Sequence, residues 1–357
     1  MIKIIISLLA LFSLCSCAKQ ESVSLFENKE ELDIIVATDL HYYASELFKE
    51  CSWFEEAWQY EDGQMIYNTH HIVDEFISEV LQQQPDLVMI SGDLTYNGEK
   101  VSHEELVKQL SRLTDANIKV AVINGNHDIN NIMCLAFNEE GSYKVDNINV
   151  ENYKNYYSNF GLNQAYSIDK KSLSYALDLN DRYNLIVIDS CRDDISLTSS
   201  NIEKGTMKWI EKQLKNTKKQ NKKALVMMHH NLGIHCEAIY DGYVLNNAQE
   251  MQDLFTKYNV PVVFSGHSHI QHTKTINNTT EIVTSALSIA PVQYGQITLT
   301  NDTLHYQTKE VEAIVDDETF FKLTSFNKLF ENMQYQFDQE TAKQLAKYFA
   351  EVNLTKS

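Results

Sequence analysis

The stretch Lys119–Asp128, KVAVINGNHD, joins a short apolar run to a group of polar side chains. Its first part, Lys119–Asn124, is rich in β-branched residues and nearly continuously apolar, which is typical of a strand buried on both faces. The polar segment Gly125–Asp128 follows at once. A strand that ends in Asn, His and Asp presents the oxygen and nitrogen ligands that divalent metals bind in proteins.

The same arrangement recurs after four other short apolar runs. They are Asp39-Leu40-His41 after Asp33–Thr38, Gly92-Asp93 after Leu87–Ser91, His229-His230 after Ala224–Met228, and Gly266-His267-Ser268-His269 after Val262–Ser265. Two metals that share a bridging carboxylate need about seven such side chains. The ordered set supplies that number, and it predicts a two-metal site assembled from separate loops.

This ordered set resembles the calcineurin-like metallophosphoesterase superfamily, whose pattern is D-x-H, G-D, G-N-H-[DE], a His after a strand, and G-H-x-H. The resemblance runs from about Asp33 to about Thr308. Three segments look closer to bacterial exported members related to class III cyclic-nucleotide phosphodiesterases. They are Gly92–Lys100, Ser172–Tyr175 and His229–Leu232. The resemblance implies an α/β fold, a four-layer α/β/β/α sandwich of two mixed sheets, over residues 33–310.

The resemblance also implies a role for each residue. The first metal would take Asp39, His41, Asp93 and His269, and the second would take Asp93, Asn126, His229 and His267. His127 would stay unligated and protonate the leaving alkoxide, while Asp128 would orient it or cap a following helix. Substrate contacts would come from Asn126 and His127. For His230, a contact to substrate or ligands and a structural role are both open.

Tyr96 stands three residues after Asp93, where purple acid phosphatases place a tyrosine ligand. Those enzymes lack the His of the first motif, which is present here as His41. We therefore interpret Tyr96 as a neighbour of the metals and His41 as the ligand. Ligands of this N/O type accept Mn, Fe or Zn, so the identity of the metals stays open.

The implied function is hydrolysis of small phosphate esters by a metal-bound hydroxide. A phosphodiesterase acting on cyclic nucleotides or similar compounds is favoured; the alternatives are a phosphomonoesterase or nucleotidase, and a non-catalytic, metal-dependent ligand-binding lipoprotein. The formal charge of −19 and the pI of about 5.0 disfavour polymeric nucleic acid, since each phosphate contact wants a Lys or Arg. A small phosphate ester is the expected partner, and the sequence does not indicate an oligomeric state.

The N-terminus reads as an export signal. Lys3 precedes the apolar run Ile4–Leu14, as in a secretory signal peptide. Leu14–Cys17 resembles a bacterial lipobox, which predicts a signal over residues 1–17, a lipid anchor to the cell membrane at Cys17 and a tether over 18–32. An ordinary signal peptide is the alternative.

Further elements are predicted from local patterns. An apolar stripe over Ile72–Leu81 indicates a helix, and Ser102–Glu105 looks like a capping box at the start of another. Three strands near the end, Glu281–Ser285, Gly295–Thr300 and Leu304–Thr308, are expected to be successive and antiparallel. The segment 311–357 is expected to form an appendage of two amphipathic helices.

Two long aromatic stretches, Tyr42–Tyr67 and Asn130–Leu179, are either lids or packed against the body. Four cysteines remain beyond the signal, and they allow three pairings among which sequence cannot choose. They are Cys51, Cys134, Cys191 and Cys236.

Overall fold

The computed structural model describes residues 24–49, 51–59, 63–191, 200–237, 242–301, 303–312 and 337–354. The predicted signal with Cys17, the first part of the tether, Tyr60 and the segment 313–336 lie outside the described residues.

Fourteen strands and seven α-helices are described. The strands are β1 Leu32–Ala37, β2 Leu87–Ser91, β3 Lys119–Ile123, β4 Leu135–Asn138, β5 Gly141–Lys144, β6 Ser167–Ile168, β7 Tyr175–Asp178, β8 Tyr183–Ile188, β9 Lys223–Met228, β10 Val262–Ser265, β11 His272–Ile276, β12 Thr279–Val283, β13 Gln293–Leu299 and β14 Leu304–Glu310. The helices are α1 Ser52–Gln59, α2 Thr69–Gln83, α3 Lys100–Asp115, α4 Val150–Tyr157, α5 Lys204–Lys219, α6 Ala248–Tyr258 and α7 Gln339–Leu354.

Two mixed sheets form the body. One has five strands in the order β14-β13-β1-β2-β3, and the other has seven in the order β11-β12-β10-β9-β8-β7-β6. Strands β1, β2 and β3 run parallel, as do β8, β9 and β10. Parallel strands place their carboxyl ends at the same edge of a sheet, where ligands of open α/β sheets bind. The five motif segments all follow such ends.

The alternation of side chains along β8 shows how the layers are built. Leu185 and Val187 point into the core between the two sheets. Ile186 and Ile188 point the other way, into a second core with α5 and α6, because successive side chains of a strand face opposite sides. On the far side, α2 buries Phe76 and its neighbours against the first sheet. The predicted four-layer α/β/β/α sandwich is confirmed.

Two local predictions are wrong. Strand β12, which contains Glu281, does not continue into β13; it pairs in parallel with β10 in the seven-stranded sheet, because the chain crosses between the sheets after Val283. The hairpin partner β11 carries no apolar strand pattern, since its sequence HTKTI is polar and its residues are largely exposed. Ser102 does not cap α3, which begins at Lys100; its hydroxyl instead accepts a hydrogen bond from Ala44 N at 3.1 Å.

Several described aromatics of the two long stretches pack against the body. Phe54 of α1 is buried and stacks on Phe48, with ring centroids 4.3 Å apart. Tyr153 and Tyr157 of α4 are fully buried as well. Trp53 and Tyr143, in contrast, are half exposed. Packing, rather than a lid, is therefore what the described part of these stretches shows.

The C-terminal helix α7 lies against the ends of the seven-stranded sheet. Its residues Ala342, Leu345 and Ala346 share a small apolar cluster with Ile270 and Val283. One of the two predicted amphipathic helices is thus present in the described residues. The four cysteines are free thiols. Among the residues that the structure describes, no helix is both long and apolar enough to cross a bilayer.

Phe76 provides a test of the outer α/β layer. Its ring is fully buried and meets Tyr294 of β13 edge-on, with centroids 5.4 Å apart. We expect Phe76→Ala to lower the free energy of unfolding by about 3–5 kcal/mol in urea titrations, because it removes apolar burial and leaves a cavity. Ile168→Ala, at a half-exposed position, should change it by about 0.5 kcal/mol or less. Similar losses for both variants would contradict this packing.

Candidate metal centre

The predicted ligands converge at the carboxyl edge of the two sheets. One group of four has its ligand atoms within 4.8 Å of one another; its members are Asp39, His41, Asp93 and His269. A second group with the same property consists of Asp93, His229 and His267. Asp93 belongs to both groups, as a bridging carboxylate would. The predicted amide ligand Asn126 places its Oδ1 2.9 Å from Nε2 of His229.

Within each group, the imidazole nitrogens and carboxylate oxygens lie close to one another. Nε2 of His269 lies 3.3 Å from Oδ1 of Asp39 and 3.3 Å from Nε2 of His41. Nε2 of His229 lies 3.3 Å from Oδ2 of Asp93, and Nε2 of His41 lies 3.7 Å from the same oxygen. Oxygens and imidazole nitrogens that face a common point form the donor set expected for a transition metal.

Backbone strain recurs at these ligands. Five of the predicted ligands have left-handed φ angles: Asp39 51°, His41 42°, Asp93 47°, His267 68° and His269 57°. This region is unfavourable for residues with a side chain, at about 1–3 kcal/mol each, and it recurs at functional sites. Here it turns side chains that follow a strand back towards the centre.

Two glycines are required because the loops touch. A Cβ on Gly125 would lie 2.0 Å from Oδ1 of Asp93, and a Cβ on Gly266 would lie 1.9 Å from Oγ1 of Thr38. Any side chain at either position would force the loops apart. The glycines of the G-N-H-D and G-H-x-H segments therefore allow the ligands to approach one another.

Outer hydrogen bonds fix the orientation of two imidazoles. Nδ1 of His229 is 2.9 Å from the carbonyl of Ser91, which leaves Nε2 facing Asp93. Nε2 of His267 is 3.0 Å from the carbonyl of Gly242, so Nδ1 is the nitrogen left for a cation. A carbonyl on the far nitrogen is the usual partner of a metal-binding histidine.

The residues present fit a bound cation. Oδ2 of Asp39 accepts hydrogen bonds from Thr38 Oγ1 at 2.6 Å and from His267 N at 2.9 Å. Oδ1 of the same carboxylate is buried, and it faces the imidazole of His269 at 3.3 Å without a well-formed hydrogen bond among the described residues. A buried carboxylate oxygen needs compensation, and a cation held with His41 and His269 would supply it.

The charges of the centre are coupled. Burial alone would raise the pKa of Asp39, but the neighbouring imidazoles of His269 and His229 together lower that pKa to about 2. Burial lowers the pKa of His41 to about 3, against the opposing effect of Asp93, so this imidazole is neutral at pH 7. Burial also acts to lower the pKa of His229, but Asp93 raises it to about 9. Metal binding would displace that proton.

His127 is held beside the two groups. Its Nδ1 lies 2.8 Å from the carbonyl of Tyr96 and 2.9 Å from Oδ1 of Asn97, so Nδ1–H donates. Its ring meets that of His41 edge-on with centroids 5.1 Å apart. Asn97 is held in turn by Asn131, whose Nδ2 donates to Asn97 Oδ1 at 2.9 Å. Nε2 of His127 is thus left free of these bonds.

The predicted role of Asp128 as an orienting partner for His127 is wrong. Its carboxylate accepts hydrogen bonds from Thr95 N at 2.9 Å and from Gly125 N at 2.7 Å. It therefore joins two metal-binding loops through their backbones. It caps no helix, since the next one, α4, begins at Val150. The orienting groups of His127 are Tyr96 and Asn97. Asn97 carries no local pattern that marks this role, apart from its position after the Gly-Asp motif.

His230 and Tyr96 occupy flanking positions. The ring of His230 is fully buried against that of His267, with centroids 4.3 Å apart, and its Nδ1 lies 2.9 Å from Ser190 Oγ. The ring of Tyr96 meets Tyr43 edge-on at 5.3 Å. A contact between His230 and substrate stays a prediction.

Comparisons with known proteins agree with this geometry. Residues 32–271 match the calcineurin-like phosphoesterase family, so the chain belongs to that family and is a hydrolase of phosphoric esters. It is 27% identical over 203 residues to a probable cyclic nucleotide phosphodiesterase of Ruthia magnifica subsp. Calyptogena magnifica, covering 57% of this chain and 70% of that one. It is 26% identical to another of Coxiella burnetii (strain RSA 493 / Nine Mile phase I), covering 54% and 64% of the two chains.

A solved structure shares the fold. The dimetal phosphatase from Danio rerio superposes with a TM-score of 0.56 at 11% identity, covering 78% of this chain and 96% of that one. At this identity the likeness concerns the architecture. It supports the two-sheet sandwich described above.

Glu99 is a buried carboxylate behind the centre whose titration can be measured. Its Oε2 accepts a hydrogen bond from Asn97 N at 3.1 Å, and its Oε1 has no partner within the described parts of the chain. Burial raises the pKa of Glu99 to about 8, although the bond from Asn97 acts in the opposite direction. The folded protein thus binds this proton more tightly than the unfolded chain does.

From this shift we expect a specific pH dependence of stability. Between the unfolded pKa of 4.5 and the folded pKa of about 8, the folded state holds more protons, so the free energy of unfolding falls as the pH rises, by up to about 1.4 kcal/mol per pH unit from this group. Glu99→Gln should remove that slope and stabilise the protein most at pH 8. Melting curves of both proteins in chelator, from pH 5 to 8, test this; parallel curves would contradict it.

Proposed function

We propose that this protein is a two-metal phosphodiesterase of small phosphate esters, with cyclic nucleotides as the favoured substrate class. The observation that carries the proposal is the pair of donor groups that share Asp93. Two ions that share one carboxylate form the arrangement used for in-line displacement at phosphorus. The proposed ligands are the seven residues predicted from the sequence, and Mn, Fe and Zn all suit their nitrogen and oxygen donors.

Each side chain has a place in the proposed reaction. Bound by these ligands, two cations would polarise the phosphoryl oxygens and lower the pKa of a water molecule. Asn126, half-buried beside His229, would offer its amide to the second ion and to the phosphate. His127 is half-buried, and its Nδ1–H is engaged by Tyr96 and Asn97. Its Nε2 is therefore directed to donate a proton to the leaving alkoxide.

Two observations support a small phosphodiester as substrate. The curated relatives named above are called probable cyclic nucleotide phosphodiesterases. The formal charge of −19 gives the surface little attraction for a long phosphate backbone,. A local concentration of bound cations still attracts a single phosphate, because the charge of the ions dominates the nearby field.

We further propose that the protein is exported and anchored to the bacterial cell membrane by lipid on Cys17. The support is the sequence alone: Lys3, the apolar run Ile4–Leu14 and the lipobox-like Leu14–Cys17. Two or more acyl chains anchor stably where one would be marginal. The centre would then act outside the cytoplasm.

The first test uses aryl phosphate esters on metal-loaded protein. We expect turnover of a bis-aryl phosphate that exceeds that of the matching mono-aryl phosphate and disappears in chelator. His127→Ala should keep both metals and lose about 10²–10⁴-fold in kcat. The loss should shrink as the leaving group improves, since good leaving groups need little protonation.

The outcomes separate the competing functions. Faster turnover of the mono-ester would indicate a phosphomonoesterase or nucleotidase. Metal binding without turnover of any ester would indicate a ligand-binding lipoprotein. Asp93→Asn serves as the control without a centre, because it removes the charge common to both donor groups. An equal loss in His127→Ala for all leaving groups would show that His127 stabilises charge instead of donating a proton.

The lipid anchor is tested by Cys17→Ser. We expect the wild type to label with palmitate and to sediment with membranes in a bacterial host that processes lipoproteins. The Ser variant should neither label nor be cleaved before residue 17, because it lacks the thiol that is acylated. A variant that still partitions into membranes would contradict a working lipobox at Leu14–Cys17.

A further inference from the structure

Glu281, the third residue of β12, is a fully buried carboxylate that the sequence analysis did not single out. Its two oxygens accept four hydrogen bonds. Oε1 accepts from Leu232 N at 2.6 Å and from Ser265 Oγ at 2.7 Å. Oε2 accepts from Gly233 N at 3.0 Å and from His235 Nε2 at 2.9 Å. A carboxylate has about four acceptor positions, so all are used.

These donors come from the two segments that carry His229 and His267. Leu232 and Gly233 follow His229 closely, and Ser265 precedes His267 by two residues. Gly266 N also donates to the carbonyl of His229 at 3.0 Å. The two segments are therefore joined to each other and, through Glu281, to the rigid strand β12.

Asn231 adds a cross-link in the same place. Its Nδ2 donates to the carbonyl of Gly266 at 2.9 Å and lies 3.2 Å from Ser265 Oγ. Since Ser265 uses its hydroxyl proton for Glu281, its oxygen can accept from Asn231. Because the carboxylate only accepts, it determines which groups of this network donate their hydrogen bonds and which accept them.

A histidine pair extends the network outwards. Only a donor can face an ionised carboxylate, so His235 carries its proton on Nε2. In the neutral ring of His235, Nδ1 is then an acceptor, and Nδ1 of His272, 2.8 Å away, can donate to it. His235 is nearly fully buried, whereas His272 is partly exposed. The network therefore reaches from β12 to the surface at β11.

We propose that Glu281 is a positioning residue for the second metal position, formed by Asp93, Asn126, His229 and His267. The inference rests on the proposed metal centre. Two of these four ligands, His229 and His267, lie on the segments that Glu281 holds. Three of the four ligands at the first position, Asp39, His41 and Asp93, lie on loops of the other sheet. Loss of Glu281 should therefore affect the second metal more than the first.

Glu281→Gln disrupts the hydrogen bonds that Glu281 accepts, with almost no change in side-chain volume. A Gln amide has one oxygen and one NH₂ group. In either orientation the NH₂ group meets a backbone N–H, that of Leu232 or that of Gly233, and neither can become an acceptor. Ser265 and His235 can reverse their bonds, but a backbone amide cannot. One of the two backbone bonds to the loop after His229 is lost in each case.

The experiment measures metal retention instead of turnover. The full chain is loaded with Mn²⁺ or Zn²⁺, dialysed against buffers of graded free metal, and its metal content is determined by elemental analysis. We expect the wild type to bind two ions per chain. Glu281→Gln should hold the first ion with unchanged affinity and the second about 10–100-fold more weakly, the effect typical of losing an outer partner of a metal ligand.

Two further variants keep the test decisive. Asp178→Asn is the control, because Asp178 is another buried carboxylate on a strand, β7, and it pairs with Lys222 Nζ at 2.6 Å. This variant should retain both ions. Ser265→Ala takes the place of Glu281→Gln if that variant does not fold. It removes one of the four bonds to Glu281, so it should lower the affinity for the second ion by a smaller factor.

The outcomes distinguish this inference from the proposed function. A wild type that binds fewer than two ions overturns the metal centre itself. A wild type with two ions and a Glu281→Gln variant with unchanged affinities overturns the role of Glu281. Equal weakening of both ions, or the same weakening in Asp178→Asn, would show a general loss of stability and also overturns it.

Discussion

The burial of two carboxylates, Asp39 and Asp93, among histidines governs how the loops at the centre are built. Both are fully enclosed at the carboxyl edge of the sheets, and charges in such surroundings need compensation. Here the opposite charge comes from imidazoles such as His229, and metal ions would take over that role. Each loop at this edge is shaped so that a polar atom reaches one of these two side chains.

This constraint explains where the chain accepts strain. Left-handed φ angles at Asp39, His41, Asp93, His267 and His269 oppose folding. They persist because neighbouring contacts leave no alternative: Gly125 allows one loop to touch Asp93, and Gly266 allows another to touch Asp39. Apolar burial in the cores between the layers offsets the free-energy cost of these strained residues. The sandwich is therefore a scaffold that holds strained loops in contact.

Polar residues behind the predicted ligands connect the loops of the centre to one another and to the strands, and so fix the positions of the ligands. Asn97 fixes the ring of His127, Asp128 joins Thr95 to Gly125, and Glu281 joins the segments of His229 and His267. None of these bonds is made to the side chain of a predicted ligand. Removing Asn97, Asp128 or Glu281 therefore leaves the set of ligands intact and changes only the geometry of the centre. Metal retention and the dependence of rate on the leaving group are the measurements that report such a change.

The strands that lead into the centre and the residues gathered there can be predicted from the sequence. Runs such as Leu87–Ser91 and Val262–Ser265 coincide with β2 and β10, because a strand buried on both faces leaves a continuous apolar signature. Asp, Asn and His follow each run directly, so the candidate ligands can be recognised from the local sequence alone. The tertiary structure decided what depends on residues distant in sequence: that β12 pairs with β10, that Ser102 binds Ala44, and that Asp128 supports loops while Asn97 orients His127. A side chain such as Glu281 looks like any strand residue until four donors from other segments surround it, since hydrogen-bond partners are chosen by proximity in space and leave no local pattern.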